Sequence, residues 1–135
     1  MMRCFNLKIV TPDAEYYSGE AQSIRLRTTA GDVQILAGHA DYLATLGTGC
    51  AKLITADGTE RVASVSGGFV SVSGADVSVI ATTFEYAEDI DVKRAHAAKE
   101  RAERAITEAK SEREEALVKA KLARALARIC AAESI

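Results

Sequence analysis

The sequence is poor in the features that mark most functional classes. Basic charge is not in excess: 17 Lys and Arg stand against 19 Asp and Glu, for a formal net charge of −2. A general nucleic-acid binder needs a basic surface, so that class is set aside. Cysteine is scarce and scattered. Cys4, Cys50 and Cys130 lie far apart, with no C-x-x-C spacing, which suits neither a disulfide framework nor a zinc site and points to reduced thiols in a cytosolic compartment. Long apolar runs are missing as well. The opening residues, MMRCFNLKIV, hold no stretch fit for a signal peptide. The least polar region, from Val62 to Thr83, is broken by Ser, Gly or Asp at nearly every second place, unlike a membrane helix. A soluble protein that stays inside the cell is expected.

Catalytic signatures are absent too. There is no G-x-x-x-x-G-K-[ST] phosphate loop and no G-x-S-x-G elbow, so Ser66 is a poor nucleophile. His39 reads as a turn or contact residue and His96 as an exposed mid-helix residue. Neither has a second His or a Cys at ligand spacing. Cys50 reads as a small core residue with no thiolate activator beside it. No catalytic residue and no metal site are expected.

What is present divides into two halves. All nine glycines and the single proline precede residue 75, and residues 89–135 contain neither. Residues 1–88 carry six Lys and Arg against ten Asp and Glu; residues 89–135 carry eleven against nine, so net charge moves from −4 to +2. The boundary is placed at 88/89. In the first half apolar residues alternate with polar ones, as in Phe5, Leu7 and Ile9, Ile24 and Leu26, Phe69-Val70-Ser71-Val72 and Val77-Ser78-Val79. Period two puts one side of a strand in a core and the other toward water. Turn signals separate the runs, the strongest being Asp57-Gly58, where glycine tolerates positive φ. Many short strands at close spacing imply an antiparallel β-sandwich or barrel.

The second half is helical. Val92, Ala95, Ala102, Ala105, Ile106 and Ala109 share one face; Val118, Leu122, Ala125, Leu126 and Ile129 form a second stripe. Asp89 or Asp91 can cap the start. The stripe lapses across Lys110–Glu115, which predicts the bend of a helical hairpin, although one continuous helix is compatible with the same residues. The fold expected is therefore an N-terminal all-β antiparallel sandwich, residues 1–88, followed by a C-terminal α-helical hairpin, residues 89–135.

Four segments in order carry a family resemblance. They are Val10-Thr11-Pro12 with Tyr17-Ser18-Gly19-Glu20-Ala21, the stretch GDVQILAGHADYLATL from Gly31 to Leu46, Ser66-Gly67-Gly68-Phe69-Val70, and Ile90-Asp91-Val92-Lys93-Arg94-Ala95. Together they resemble the epsilon subunits of bacterial F-type ATP synthases across nearly the whole chain. Ala37 stands where that family usually has proline, and Asp32-Val33-Gln34 is atypical of it. The resemblance implies a rotor-stalk subunit at the cytoplasmic face of the bacterial membrane, attached only through its complex. The implied partners of its sandwich are the gamma subunit and the ring of c subunits. The hairpin would extend from the sandwich into the alpha/beta head and impede ATP hydrolysis there. Subunit contact is implied for the loop Gly38, His39 and Ala40, which departs from the family pattern at Ala37.

By the same resemblance Glu85, Ile90, Asp91, Arg94, Ala95, Arg101, Arg124 and Arg128 match positions that bind ATP in several bacterial members, with ATP a regulatory ligand and no cofactor required. The residues themselves are coherent with this. Arg94 and Arg101 are seven apart on a helix and Arg124 and Arg128 four apart, so each pair shares a face. Two such pairs facing each other repel unless an anion lies between them, and guanidinium groups suit phosphate oxygens. The plainer alternative is that these are solvated helix charges balanced by Glu100, Glu103 and Glu108. A free-standing nucleotide-sensing adaptor, outside any synthase, would share the same ligand site. Alanine stripes bury little area, so docking of the hairpin should contribute only about a few kcal/mol net. Two hairpin arrangements then lie close in energy.

Overall fold

A computed structural model of the protein describes residues 3–133; residues 1–2 and 134–135, the outer ends of the two expected segments, lie outside the described residues. The alternating half forms seven strands: β1 (Phe5–Val10), β2 (Glu15–Thr28), β3 (Gly31–Leu36), β4 (Tyr42–Thr45), β5 (Thr48–Thr55), β6 (Glu60–Ser73) and β7 (Asp76–Tyr86). Their order is β1-β7-β6-β5-β2-β3, with β4 on β6 and β1 also paired to β2. Every pairing is antiparallel except β1 with β7. The alternation seen in the sequence becomes the burial pattern: Ile9, Ile24, Leu26, Ile35, Val70 and Val79 are fully buried between the layers. Asp57-Gly58 turns β5 into β6, with Gly58 at φ +89°.

Two long strands build the sandwich by changing partners along their length. β2 pairs first with β1 and then with β3 and β5. β6 pairs with β5 through Ser66 and with β4 from Phe69 onward, while β7 follows it along both parts. The Ser66-Gly67-Gly68 segment is thus a bend inside one continuous strand. Its glycines take φ of +72° and +90°, and a Cβ on Gly68 would collide with the carbonyl oxygen of Ile80. The backbones of β6 and β7 approach closely there.

After β7 a 3₁₀ turn, Ala87–Asp89, leads into α1 (Val92–Glu108) and α2 (Glu112–Glu133). Of the two candidate caps Asp91 is used: its carboxylate accepts from the Arg94 N–H at 3.1 Å, satisfying one of the helix's free donors. The hairpin bend falls at residues 109–111, overlapping the start of the stretch where the stripe lapses. Here the Ser111 hydroxyl accepts from the Glu114 N–H at 3.1 Å, and the Glu114 carboxylate accepts from the Lys110 N–H at 3.0 Å. This Ser-x-x-Glu capping arrangement starts a second helix without Gly or Pro. Only α2 packs broadly on the sandwich, against β5 and β6, while α1 packs on α2. The apolar cluster at that contact is small: Val62, Ala87, Ile90 and Ala131 are buried in it, with Cys50 and Ala132 partly buried beside them, and α2 also buries Ala125, Ala127 and Ile129.

The cysteines correct the sequence reading. Cys50 on β5 and Cys130 on α2 form a disulfide across this contact, with Cα atoms 6.4 Å apart. Eighty positions separate them in sequence, and they meet only because α2 lies along β5. Spacing rules for local motifs cannot register such a pair.

Candidate functional site

Three adjoining concavities run from the end of the sandwich into the groove of the hairpin, and Arg128 borders all three. The first, about 290 Å³, is floored by Tyr16 and Phe84 and edged by Ser64, Thr83, Glu85 and Asp89. A narrow neck at Ser66, Arg124 and Arg128 continues it. The third, about 400 Å³, lies between the helices, walled by Ala98, Ala102 and Ala105 and lined by Arg101, Lys121 and Arg124. Alanine allows close helix approach, so the basic side chains stand at the edges of a narrow groove.

The floor of the sandwich end is an aromatic cluster. Tyr16, Phe84 and Tyr86 form it, with neighbouring ring centroids 5.0–6.3 Å apart. The buried Tyr86 hydroxyl donates to the Tyr16 carbonyl at 2.8 Å, and burial pushes its phenol above the ordinary value. Arg61 stacks over the Tyr86 ring, 3.6 Å from its centroid, and donates to Glu88 at 2.7 Å. That hydrogen bond holds the Glu88 carboxyl below the usual carboxylate range. The 3₁₀ turn carrying Glu88 is thereby fixed to β6, next to Glu85.

The eight motif residues fall into distinct places. Glu85, Arg101, Arg124 and Arg128 line the connected concavities, and the Arg128 Nε lies 3.3 Å from the Glu85 carboxylate. Ile90 and Ala95 are buried, so their part is to seat the start of α1. Asp91 caps α1, and Arg94 gives its backbone N–H to that cap while its side chain stays exposed. The arrangement combines an aromatic-floored recess bearing hydroxyls and a carboxylate with a strip of cations beyond it. Chemically, that suits a nucleoside at one end and phosphates at the other.

Lys121 was not singled out from sequence. It stands three and seven residues before Arg124 and Arg128, on the same helical face, and that spacing was the available signal. The loop Gly38, His39 and Ala40 lies away from this site, as a tight turn between β3 and β4. Gly38 has φ +83°, the His39 N–H donates to the Leu36 carbonyl at 3.1 Å, and the His39 ring meets Tyr42 edge-on at 5.6 Å. His96, on the exposed side of α1, lies 3.9 Å from Glu133 of α2.

A separate surface lies on the outer face of the sandwich. Phe69 on β6 stands opposite Ile80 on β7 and Thr45 on β4, and Leu43 lies two residues from Thr45 on the same face. Leu43, Phe69 and Ile80 are 73%, 41% and 39% exposed, a run of uncovered apolar side chains across three adjacent strands. Among the described residues no His, Cys, Asp and Glu side chains group to hold a metal ion, and no helix is long and apolar enough to cross a membrane.

Comparison with known proteins covers both halves. The family model described as "ATP synthase, Delta/Epsilon chain, beta-sandwich domain" matches residues 4–87, and that described as "long alpha-helix domain" matches residues 88–133. The chain is 37% identical over 130 residues to an ATP synthase epsilon chain of Ruminiclostridium cellulolyticum, covering 96% of each. It is 36% identical over 129 residues to that of Caldanaerobacter subterraneus, covering 96% of this chain and 94% of the other. A chain of the Euglena gracilis mitochondrial ATP synthase, solved with its OSCP, F1 and c-ring, superposes with TM-score 0.84 at 23% identity, covering 96% of this chain and 81% of that one. At that identity the last likeness speaks to fold.

Proposed function

The chain belongs to the ATP synthase delta/epsilon chain family, and from that membership we propose that it is the non-catalytic rotor-stalk regulator of a proton-transporting F-type enzyme, with a hairpin that binds ATP in its docked form. The observation that carries the regulatory part is the row of adjoining concavities, all bordered by Arg128, that places Glu85 on the sandwich near Arg101 and Arg124 on the two helices. The groove between the helices belongs to the hairpin alone, but the recess and neck combine sandwich residues with Arg124 and Arg128, so recess and groove adjoin only while the hairpin is docked. A ligand spanning the two stabilises the docked form alone, by about 2.7 kcal/mol at 100 times its Kd. The small contact of α2 with the sandwich leaves the balance within reach of such a term.

In this reading the triphosphate lies along Lys121, Arg124, Arg128 and Arg101, and the base rests against Tyr16 and Phe84. The phosphates displace Glu85 from Arg128 or share the guanidinium with it. Without ATP the hairpin leaves the sandwich, extends into the alpha/beta head and impedes hydrolysis. The apolar run Leu43, Phe69 and Ile80, with the neighbouring loop at Gly38, His39 and Ala40, is the face for the gamma subunit and the c-ring. Membrane attachment, at the cytoplasmic face, comes only through those partners. A free-standing nucleotide-sensing adaptor would need the same cleft, but it has no use for an uncovered apolar face on the opposite half.

Two measurements on the full-length chain test this. Titration calorimetry with Mg-ATP gives heat at one site per chain; no heat rejects the nucleotide site. A tagged chain recovers alpha, beta and gamma subunits in stoichiometric amounts from detergent-solubilised membranes; recovery alone or with soluble proteins only rejects the rotor role.

A further inference from the structure

The Cys50–Cys130 pair lies outside the nucleotide cleft, on the other side of α2. It borders a recess of about 540 Å³ between α2 and the sandwich, whose wall includes Lys52, Glu60 and Leu126 and neither Arg124 nor Arg128. Cys50 is partly buried against the small docking contact, whereas Cys130 is exposed. Cys130 lies one turn from the described end of α2, where the helix meets the sandwich through Ala131. The disulfide therefore ties the helix that must leave to the strand it leaves from, at a place reagents can reach.

We propose that Cys50 and Cys130 form a redox latch: oxidised, the pair holds the hairpin docked; reduced, it lets the hairpin go. The consequence for regulation rests on the mobile hairpin proposed above. The oxidant is a low-molecular-weight disulfide of the glutathione class, RSSR. The Cys130 thiolate attacks one sulfur of RSSR, forming Cys130–S–S–R and releasing RS⁻. The Cys50 thiolate then attacks the Cys130 sulfur, forming the Cys50–Cys130 bond and releasing the second RS⁻. Both thiol protons pass to solvent or to the released thiolates, and two electrons pass from the protein to RSSR. A dithiol reverses the sequence by the same exchange. The exposure of Cys130 makes it the first protein sulfur to react in either direction, as nucleophile on oxidation and as the sulfur attacked on reduction. This pair does not join two strands of the large core; it joins β5 to α2 beside the smaller apolar cluster where the hairpin meets the sandwich.

The test uses the full chain carrying Cys4→Ser, equilibrated in reduced and oxidised glutathione mixtures and trapped by alkylation. Two thiols are expected to disappear together, with a linked Cys50–Cys130 peptide by mass spectrometry, and to return with dithiothreitol. Amide exchange in α2 is expected to be at least about tenfold slower in the oxidised chain, and Cys130→Ser, at an exposed position, should abolish both the link and the redox dependence. Mixed disulfides with glutathione and no internal link would overturn the latch, as would a linked chain whose α2 exchanges no more slowly than the reduced one. Calorimetry with Mg-ATP on the same Cys4→Ser chain separates the two ideas: heat where the glutathione mixtures form no link rejects the latch alone, and a link without heat rejects the nucleotide site alone. Reduced α2 exchanging as slowly as the sandwich core rejects hairpin mobility, and the latch with it.

Discussion

Gly68→Ala lowers the stability of the sandwich by about 2–4 kcal/mol, which for a domain of this size moves the midpoint of a thermal melt by roughly 10–20 °C. The cause is geometric. β6 must hand its pairing from β5 to β4 at this point while β7 stays against it, and the two backbones meet at Gly68 and Ile80. An added Cβ would strike the Ile80 carbonyl oxygen and come within 2.8 Å of the Ala81 Cα, both backbone atoms that cannot swing aside. The φ of +90° adds the strain of a left-handed side-chain-bearing residue. Gly58→Ala is the matched control. Its φ is +89° but nothing lies within 4 Å of the added atom, so it should cost only about 1 kcal/mol. Equal effects for the two variants would mean that the close approach is not what β6 requires. Because Phe69 and Ile80 adjoin the bend, Gly68→Ala should also weaken binding of the rotor face.

Replacing Arg128 by alanine weakens Mg-ATP binding by about 10- to 100-fold, the ordinary worth of a charge-assisted hydrogen bond in a partly closed site. Arg124→Ala has a similar effect, and the double variant should bind too weakly to follow by calorimetry. Arg128 is the stronger case because it borders every part of the cleft and can reach both Glu85 and the helix groove. A purely structural role predicts otherwise. The groove gathers Arg101, Lys121, Arg124 and Arg128, so removing one of them relieves like-charge repulsion in the unliganded chain. The thermal midpoint without ATP should accordingly hold or rise slightly, while affinity falls. Arg113→Ala, at the exposed start of α2, should change neither. Affinity unchanged by Arg124→Ala and Arg128→Ala together would return these residues to the solvated charges of the plainer reading.

The strands were legible because their signal is local. Alternation at Phe5, Leu7 and Ile9, or at Val77 and Val79, maps directly onto burial, and Asp57-Gly58 supplies its own turn. The bend of the hairpin was legible only as a lapse of apolar residues, yet Ser111 and Glu114 carry a capping signal that places it more sharply. Ser66-Gly67-Gly68 was harder. Two glycines read equally as a turn or as a strand bend, and only the course of β7 decides. Of the candidate site, the arginines came from the family resemblance, with which their helical spacing is consistent, and Lys121 shares that spacing. Tyr16 and Phe84 were not legible, since β2 and β7 bring them together through tertiary packing of the aromatic cluster. The cysteine pair was misread for that reason also: the docking of α2 on β5 is what joins residues eighty apart, and no local pattern records it.

The central claim is that ATP favours the docked hairpin because the recess on the sandwich and the groove between the helices adjoin in that form alone. Amide hydrogen exchange of α2 in the reduced full-length chain, with and without Mg-ATP at 100 times its Kd, tests this most directly. Exchange through hairpin opening should slow about 100-fold with ATP, while the sandwich core, which does not open with the hairpin, is unaffected. ATP bound at a measured Kd with α2 exchange unchanged would contradict the claim, because the nucleotide would then bind docked and open forms alike.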